Sequence, residues 1–279
     1  MVILLTLLIV SFLINFALFV PFINLLYRLR FQRQKQKTRD MFEKLTPIFD
    51  LFHGKKVGTP VGGGMLIIGV TAILFPLFLV VMHYFFVPIT IVYSVTYEVG
   101  IILFTFLSFG LLGLYDDLKK TFFWEKELFF GLRLRHKLFV EIVLAFIIGS
   151  LLYYGLGIDI LHIPFFGVWK LGVWFIPFAA FTIVAFTNAY NITDGLDGLA
   201  AGVLVIALIA FWVISASILD TPLSVFIALW VGSLLAFLYF NIYPARIFLG
   251  DVGALSFGAT FAVIGLILGK ILAIVIIGG

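Results

Sequence analysis

"LAAGVLVIALIAFWVISAS", residues 199–217, is an uncharged apolar run long enough to form a helix that crosses a membrane. About 20 such residues span the ~30 Å of hydrocarbon in a bilayer. The rest of the chain has the same character. Of its 279 residues, 63% are hydrophobic and 11% are charged, and the mean hydropathy is +1.24. A soluble domain of this length could not bury so much apolar surface, so we predict an integral membrane protein.

Seven further apolar runs complete the prediction of an all-α, polytopic bundle of about eight transmembrane helices, with 1–279 as a single membrane-embedded domain. The runs are 2–23, 61–86, 99–115, 138–156, 171–187, 223–240 and 253–277. In lipid the backbone N–H and C=O groups must hydrogen-bond to one another, which helices and closed β-barrels allow. No run alternates between apolar and polar residues as barrel strands do, so we predict helices. The first run has no basic leader or cleavage site, so we interpret it as a span and not as a removed signal peptide.

The basic residues lie mainly in loops that this helix count places on one side of the membrane. Nine of the 18 Lys and Arg residues fall in 28–60 and six fall in 116–137. The positive-inside rule makes that side cytoplasmic and places the N-terminus outside. The basic loop 28–60 is also suited to contact anionic lipid headgroups.

Five polar stretches fall on the same predicted side. They are "HGKKVGTPVGGG" (53–64), "YDDLKK" (115–120), "RLRHK" (133–137), "NAYNITDGLDG" (188–198) and "RIFLGDVGALSFG" (246–258). Unrelated stretches would be scattered over both sides, so their common position indicates one composite site. Each stretch alone has a simpler explanation: an acidic pair can end a helix, glycines can allow close helix packing, and a lysine can anchor at the interface.

"NAYNITDGLDG" is the stretch hardest to explain without a function. Its four oxygen-bearing side chains recur every third residue, which places them on one face of a helix; they are Asn188, Asn191, Asp194 and Asp197. Oxygen ligands in a chain without cysteine favour Mg²⁺, with Mn²⁺ as the alternative. Nearby lysines suit a diphosphate, and the glycines of "GTPVGGG" would let backbone N–H groups approach a phosphate. These residues predict Mg²⁺-dependent phosphoryl transfer with a lipid as one substrate.

The five motifs, in this order and at these intervals, resemble the polyprenyl-phosphate N-acetylhexosamine-1-phosphate transferase superfamily. Within it they are most similar to the translocase I group, the phospho-N-acetylmuramoyl-pentapeptide transferases. The resemblance implies Mg²⁺-dependent transfer from UDP-N-acetylmuramoyl-pentapeptide to undecaprenyl phosphate, which forms lipid I and UMP in peptidoglycan synthesis. It also implies a multi-pass protein of the bacterial cytoplasmic membrane that contacts membrane lipid, forms a homodimer and has no nucleic-acid partner.

The same resemblance assigns roles to individual residues. Asp116 and Asp117 match an aspartate pair that orients or deprotonates the lipid phosphate. Asp251 matches the aspartate that holds Mg²⁺, with Asn191 as a second ligand. The remaining matches bind substrate: Lys120 and Lys137 at the phosphates, and Lys56, Asn188, Asp194, Asp197 and Phe248 around the nucleotide, with Phe248 stacked on uracil. Thr59 and Asn191 are further substrate-binding residues.

Two routes fit this chemistry. A phosphomonoester has a second pKa of ~6, so the lipid phosphate is largely dianionic and can attack the β-phosphate directly. The alternative passes through a phosphorylated aspartate, which would be Asp117.

The chain departs from the family pattern near its end. The family has ten spans and a histidine-rich motif in a late cytoplasmic loop, whereas the eighth predicted span here runs to 277. We therefore expect the last two helices and part of the sugar-recognition surface to be missing. Ala254 also replaces the serine that usually follows "GDxG". Two alternatives stay open: a sister transferase that uses UDP-N-acetylglucosamine, and an inactive protein that binds the polyprenyl lipid.

Overall fold

The computed structural model describes residues 2–32, 57–122, 134–163 and 167–269. In this part of the chain eight long helices follow one another: α1 (Val2–Arg28), α2 (Gly63–Tyr84), α3 (Val95–Phe122), α4 (Leu134–Leu156), α5 (Phe175–Thr193), α6 (Leu199–Ser217), α7 (Thr221–Asn241) and α8 (Gly250–Ile267). All eight are long and apolar enough to cross a membrane. The chain is a polytopic membrane helix bundle, which confirms the predicted fold class. The cytoplasmic assignment of one side stays a prediction.

The helices differ from the predicted runs mainly at the ends that carry polar motifs. The predicted spans 99–115 and 171–187 stop before these motifs, but α3 continues to Phe122 and α5 to Thr193. The polar side chains on these last turns have partners inside the bundle. The helices can therefore continue through the polar motifs without exposing them to water. The last predicted span, 253–277, begins earlier, at Gly250. Its residues from 270 onward lie outside the described part of the chain.

A small β-hairpin joins α4 to α5 and is absent from the sequence prediction. Strands β1 (Ile160–Ile163) and β2 (Gly167–Lys170) pair antiparallel, with Ile160 opposite Lys170. The Lys170 ammonium also lies 3.3 Å from the carboxylate of Asp159. Strands of four residues are too short for an alternating pattern to stand out in the sequence, which explains the omission.

Helices α7 and α8 form the core of the bundle and are buried along almost their whole length. α7 packs against α1, α2 and α6, while α8 packs most extensively against α3 and α5. Where α3, α7 and α8 meet, the Trp230 ring lies edge-on to Phe106 and Phe257, with centroids 5.4 and 5.2 Å away. Such edge contacts between aromatic rings add to the stability gained by burial.

A polar cluster inside the apolar bundle joins α1 and α2 to α7. The Ser233 hydroxyl accepts a hydrogen bond from Asn15 Nδ2 at 2.9 Å and shares hydrogen bonds with the hydroxyls of Ser11 at 2.9 Å and Thr71 at 3.1 Å. All four side chains are buried. Within a membrane such bonds between helices contribute roughly 0.6 to 1.7 kcal/mol each.

We expect Ser233→Ala to lower the stability of the bundle by about 1 kcal/mol, because it removes a shared partner from three buried polar groups. The effect is measured as a lower midpoint of thermal unfolding in detergent. Ser217→Ala is the matched control, since the described hydrogen bond of Ser217 goes to the Ile214 carbonyl of its own helix. Equal midpoints for the two variants would contradict a role for Ser233 in joining the helices.

Candidate active site

Two lysines and two aspartates from three helices meet at one end of the bundle. Lys120 Nζ, on α3, lies 2.7 Å from Asp251 Oδ2 on α8 and 3.0 Å from Asp116 Oδ2 on its own helix. Lys137 Nζ, on the first turns of α4, lies 2.9 Å from the same oxygen of Asp251 and 3.4 Å from that of Asp116. Each ammonium group therefore bridges the same two carboxylates. We call these four residues the ion cluster.

Three of the four side chains in the ion cluster are largely shielded from solvent, while that of Lys120 is 38% exposed. The side chain of Asp116 is 3% exposed and that of Lys137 is 10% exposed. Charges in such surroundings are stable only when paired, and removing one partner of a buried pair costs about 3–5 kcal/mol. An anion that displaces a carboxylate from the lysines would satisfy the same requirement. The geometry therefore defines a position at which phosphate oxygens can bind.

Asp117 has a different partner from its neighbour Asp116. Its Oδ2 accepts a hydrogen bond from the backbone N–H of Val252 at 3.0 Å, and the residue is 4% exposed. The first N–H groups of a helix have no partner within the helix, so a carboxylate at this position acts as a cap. Asp117 thus caps α8 from α3, and the capped turn also carries Asp251.

The approach of α3 to α8 depends on glycine at two positions. A Cβ atom on Gly113 would collide with the backbone carbonyl of Asp251. Gly250 has a φ of 81°, and a Cβ atom there would lie 2.6 Å from Asp117 Oδ2. Glycine is the residue that adopts this backbone conformation at no steric cost. The two glycines allow the acidic side chains of α3 and α8 to come together.

The glycines 62–64 do not have the phosphate-binding role considered from the sequence. The N–H groups of Gly62 and Gly63 donate to the Phe248 carbonyl, at 3.1 and 2.9 Å, and that of Gly64 donates to the Leu249 carbonyl at 3.0 Å. Their backbone donors are therefore used inside the protein. The simpler explanation, close helix packing, is confirmed, because a Cβ atom on Gly64 would collide with the backbone of Gly253.

The four polar residues of 188–197 do not share one helix face, so this prediction was wrong. Asn188 and Asn191 lie on the last turns of α5, but the helix ends at Thr193. Asp194 follows the helix end, and Asp197 lies in the turn before α6. Asp197 Oδ2 accepts a hydrogen bond from the Ala245 backbone N–H at 3.1 Å, which ties this turn to the segment after α7. Binding of the nucleotide by Asp194 and Asp197 stays a prediction.

Two other predicted substrate-binding residues lie in adjacent loops. Phe248 and Thr59 are half-buried, and the N–H of Phe248 donates to the Pro60 carbonyl at 2.8 Å. The segment before α2 therefore runs beside the segment before α8. Lys56 lies outside the described residues. Stacking of Phe248 on uracil stays a prediction.

Glu141 belongs to this site and is absent from the sequence-predicted set. It is fully buried on α4, and its Oε2 accepts a hydrogen bond from Asn188 Nδ2 at 2.6 Å. It also interacts electrostatically with Lys137 and Asp251. One signal in the sequence points to it: Glu141 follows Lys137 by four residues, so the two side chains share a helix face.

Metal binding also stays a prediction. Within the described ranges, no group of three or more His, Cys, Asp or Glu side chains is arranged to hold a metal ion. The lysines, and not an acidic cage, neutralise Asp116 and Asp251 in this arrangement. The carboxylate and amide oxygens nearby are nonetheless the ligand type that Mg²⁺ prefers, with Asp251 and Asn191 as the expected pair.

Comparison with known proteins identifies the class. Residues 99–269 match the glycosyl transferase family 4. These residues are more than half of the chain, and the chain belongs to this family. The family resemblance inferred from the five motifs is confirmed.

Particular relatives carry a more specific name. Phospho-N-acetylmuramoyl-pentapeptide-transferases of Clostridium novyi and Clostridium perfringens are 36% and 37% identical over 230 and 227 residues. Each match covers 81% of this chain and 66% or 65% of the relative, just under two thirds of its length. The enzyme of the same name from Clostridium botulinum is 32% identical over 278 residues, which are 98% of this chain and 76% of the relative.

We expect Asp117→Ala to destabilise the protein by about 0.5–2 kcal/mol, because it leaves the Val252 N–H without its cap. Asp117→Asn should cost less than half as much, since the asparagine side-chain oxygen can still accept this hydrogen bond. Thermal unfolding of both variants in detergent measures the difference. Equal losses would show that the negative charge, and not the capping hydrogen bond, is what stabilises the start of α8.

Proposed function

We propose that this chain transfers phospho-N-acetylmuramoyl-pentapeptide from its UDP carrier to undecaprenyl phosphate, with lipid I and UMP as products. The observation that carries the proposal is the ion cluster, in which Lys120 and Lys137 converge from two helices on the same carboxylate oxygens. The names of the relatives support it, since they specify the sugar-peptide that those enzymes transfer. The name of the relatives also favours this donor over UDP-N-acetylglucosamine.

The two ammonium groups are already positioned for phosphoryl transfer. They lie within 3.4 Å of both carboxylates, so they can pass to phosphate oxygens with small side-chain movements. Pre-positioned positive charges stabilise the negative charge that spreads over the transferred phosphoryl group. Because the lysines come from different helices, they can contact two sides of a diphosphate.

The environment of Asp117 favours direct transfer. A nucleophilic carboxylate must reach the phosphorus atom, but Asp117 is buried and its Oδ2 accepts the Val252 N–H. The lipid phosphate, by contrast, is already a dianion at neutral pH and needs little activation. In the proposed step an oxygen of the lipid phosphate attacks the β-phosphorus. The bond from the β-phosphorus to the bridging oxygen breaks, and UMP leaves with that oxygen.

Mg²⁺ is the proposed cofactor, held by Asp251 and Asn191. Bound there, the ion would neutralise charge on the diphosphate. Asp251 is the more exposed acid of the ion cluster, at 18% for its side chain against 3% for Asp116. Its carboxylate is therefore the one that substrate and cation can reach.

The proposed location is the bacterial cytoplasmic membrane, with the ion cluster on the cytoplasmic side. A nucleotide sugar is soluble and approaches from water, while undecaprenyl phosphate approaches within the lipid. A site at the ends of membrane-spanning helices is accessible to both substrates. The homodimer that the family resemblance implies stays a prediction.

The test is UMP release by the purified protein in detergent, with undecaprenyl phosphate and each UDP-sugar, with and without Mg²⁺. Asp251→Ala provides the blank. We expect Lys120→Met to reduce turnover about 10²- to 10³-fold, because it removes one of two charges on the transferred group. Lys119→Met is the matched control, since this neighbouring lysine has no place in the ion cluster, and it should keep turnover within about twofold.

Other outcomes select between the alternatives. UMP release with UDP-N-acetylglucosamine alone would assign the chain to the sister transferases. Release that does not depend on Mg²⁺ would remove the proposed cofactor. If neither donor gives UMP above the blank, while the protein still binds undecaprenyl phosphate, the chain is a lipid-binding protein and the proposal is wrong.

A further inference from the structure

The side-chain amide of Asn188 has both of its hydrogens bound inside the protein. Nδ2 donates to Glu141 Oε2 at 2.6 Å and to the Val184 backbone carbonyl at 2.9 Å. An asparagine amide has two N–H hydrogens, so these bonds use all of them. The remaining polar atom of this side chain is Oδ1, which can only accept.

The surroundings permit one orientation of this amide. In the flipped orientation Oδ1 would face the Glu141 carboxylate and the Val184 carbonyl. Both are acceptors, so two hydrogen bonds would become two repulsive contacts. The bond to Glu141 is short, at 2.6 Å. Glu141 and Val184 together determine which atom Asn188 presents to a ligand.

This orientation restricts what Asn188 can bind. A phosphate oxygen is an acceptor and would find no donor on Asn188. An N–H or O–H group of a nucleotide sugar would find an acceptor in a fixed position. The lysines of the ion cluster supply the donors for phosphate. The lysines would therefore bind the diphosphate of the substrate, and Asn188 would bind one of its N–H or O–H groups.

The surroundings of Glu141 are consistent with a role in orienting the side-chain amide of Asn188. Glu141 is fully buried, and its second oxygen, Oε1, has no hydrogen-bond partner among the described residues. A buried carboxylate with an unpaired oxygen is costly. The attraction of Lys137 offsets part of that cost. An ion pair with Lys137 does not require a hydrogen bond to Asn188, whereas control of the amide does.

We propose that Glu141 is a positioning residue that fixes Asn188 as a hydrogen-bond acceptor for an N–H or O–H group of the nucleotide sugar. This inference rests on the proposed function, because it names how that site recognises its donor substrate. It assigns Glu141 no contact with the reacting atoms.

The experiment compares Glu141→Leu with Glu141→Gln. Glutamine keeps an oxygen that accepts from Asn188, and leucine does not. We expect Glu141→Leu to raise KM for the UDP-sugar about tenfold, which corresponds to the loss of the one hydrogen bond that Asn188 accepts from the substrate. The value of kcat should stay within about threefold, because binding far from the transferred phosphorus is uniform in ground and transition states. Glu141→Gln should restore KM to within about threefold of the unsubstituted protein.

Two readouts separate positioning from a structural role. Any fall in the unfolding midpoint of Glu141→Leu should be small, because the loss of an acceptor for Asn188 is offset by removal of the buried, unpaired oxygen Oε1. The chain has five asparagines, so ¹⁵N-asparagine labelling resolves the side-chain amide of Asn188 by NMR. Its proton bound to Glu141 should lie far downfield in the unsubstituted protein and in Glu141→Gln, and should move upfield in Glu141→Leu. Ser150→Ala, which alters a hydrogen bond within α4 to the Phe146 carbonyl, is the matched control and should change neither signal nor KM.

A KM for Glu141→Leu equal to that of the unsubstituted protein, with the Asn188 signal displaced, would overturn the inference. Equal losses in Glu141→Leu and Glu141→Gln would also overturn it, since they would point to the charge. Absence of turnover in the unsubstituted protein would contradict the proposed function instead. In that case binding of the intact UDP-sugar, measured by calorimetry, decides the inference: weaker binding by Glu141→Leu than by Glu141→Gln supports it, and equal binding contradicts it.

Discussion

The hydrogen bond from the Val252 N–H to the Asp117 carboxylate fixes the first turn of α8 against α3, and the remaining contacts of the site depend on that position. Asp251 lies on the same turn, so the cap also determines where its carboxylate points. The absence of a side chain at Gly113 lets the backbones approach closely enough for this bond to form. A small displacement of α8 would separate Asp251 from both lysines at once.

Burial of charge explains why these contacts form one connected network. Asp116, Asp251, Lys120 and Lys137 neutralise one another, and Glu141 extends the network to Asn188 on α5. In a medium of low dielectric each pair is strong, but each unpaired group is costly. The network therefore favours a single arrangement of four helix ends. A substrate phosphate would enter it by exchanging partners with a carboxylate.

The sequence predicts the features of the fold and site that depend on composition and on the order of the helices. Eight spans follow from the lengths of the apolar runs. The contact of Lys120 with Asp251 follows from which ends of the helices carry polar motifs. Other contacts between residues that are far apart in the sequence are not predictable in this way. The amides of Gly62–Gly64 are engaged by carbonyls of residues 248–249, and Asp197 holds Ala245. The spacing of Glu141 from Lys137 is also that of an ordinary ion pair on a helix surface, and its partner Asn188 lies 47 residues away in the sequence.

The burial of α8 has a consequence for how the protein is made. Lys120 and Asp251 are 131 residues apart. Since ribosomes add about 5–20 residues per second, Asp251 is synthesised roughly 7 to 26 s after Lys120. During that time the charged side chains of α3 and α4 lie in a bundle that lacks α8. They lie within about two turns of their helix ends, close enough for long side chains to extend towards the aqueous interface. The position of the site at the helix ends therefore suits insertion into the bilayer as well as access to a soluble substrate.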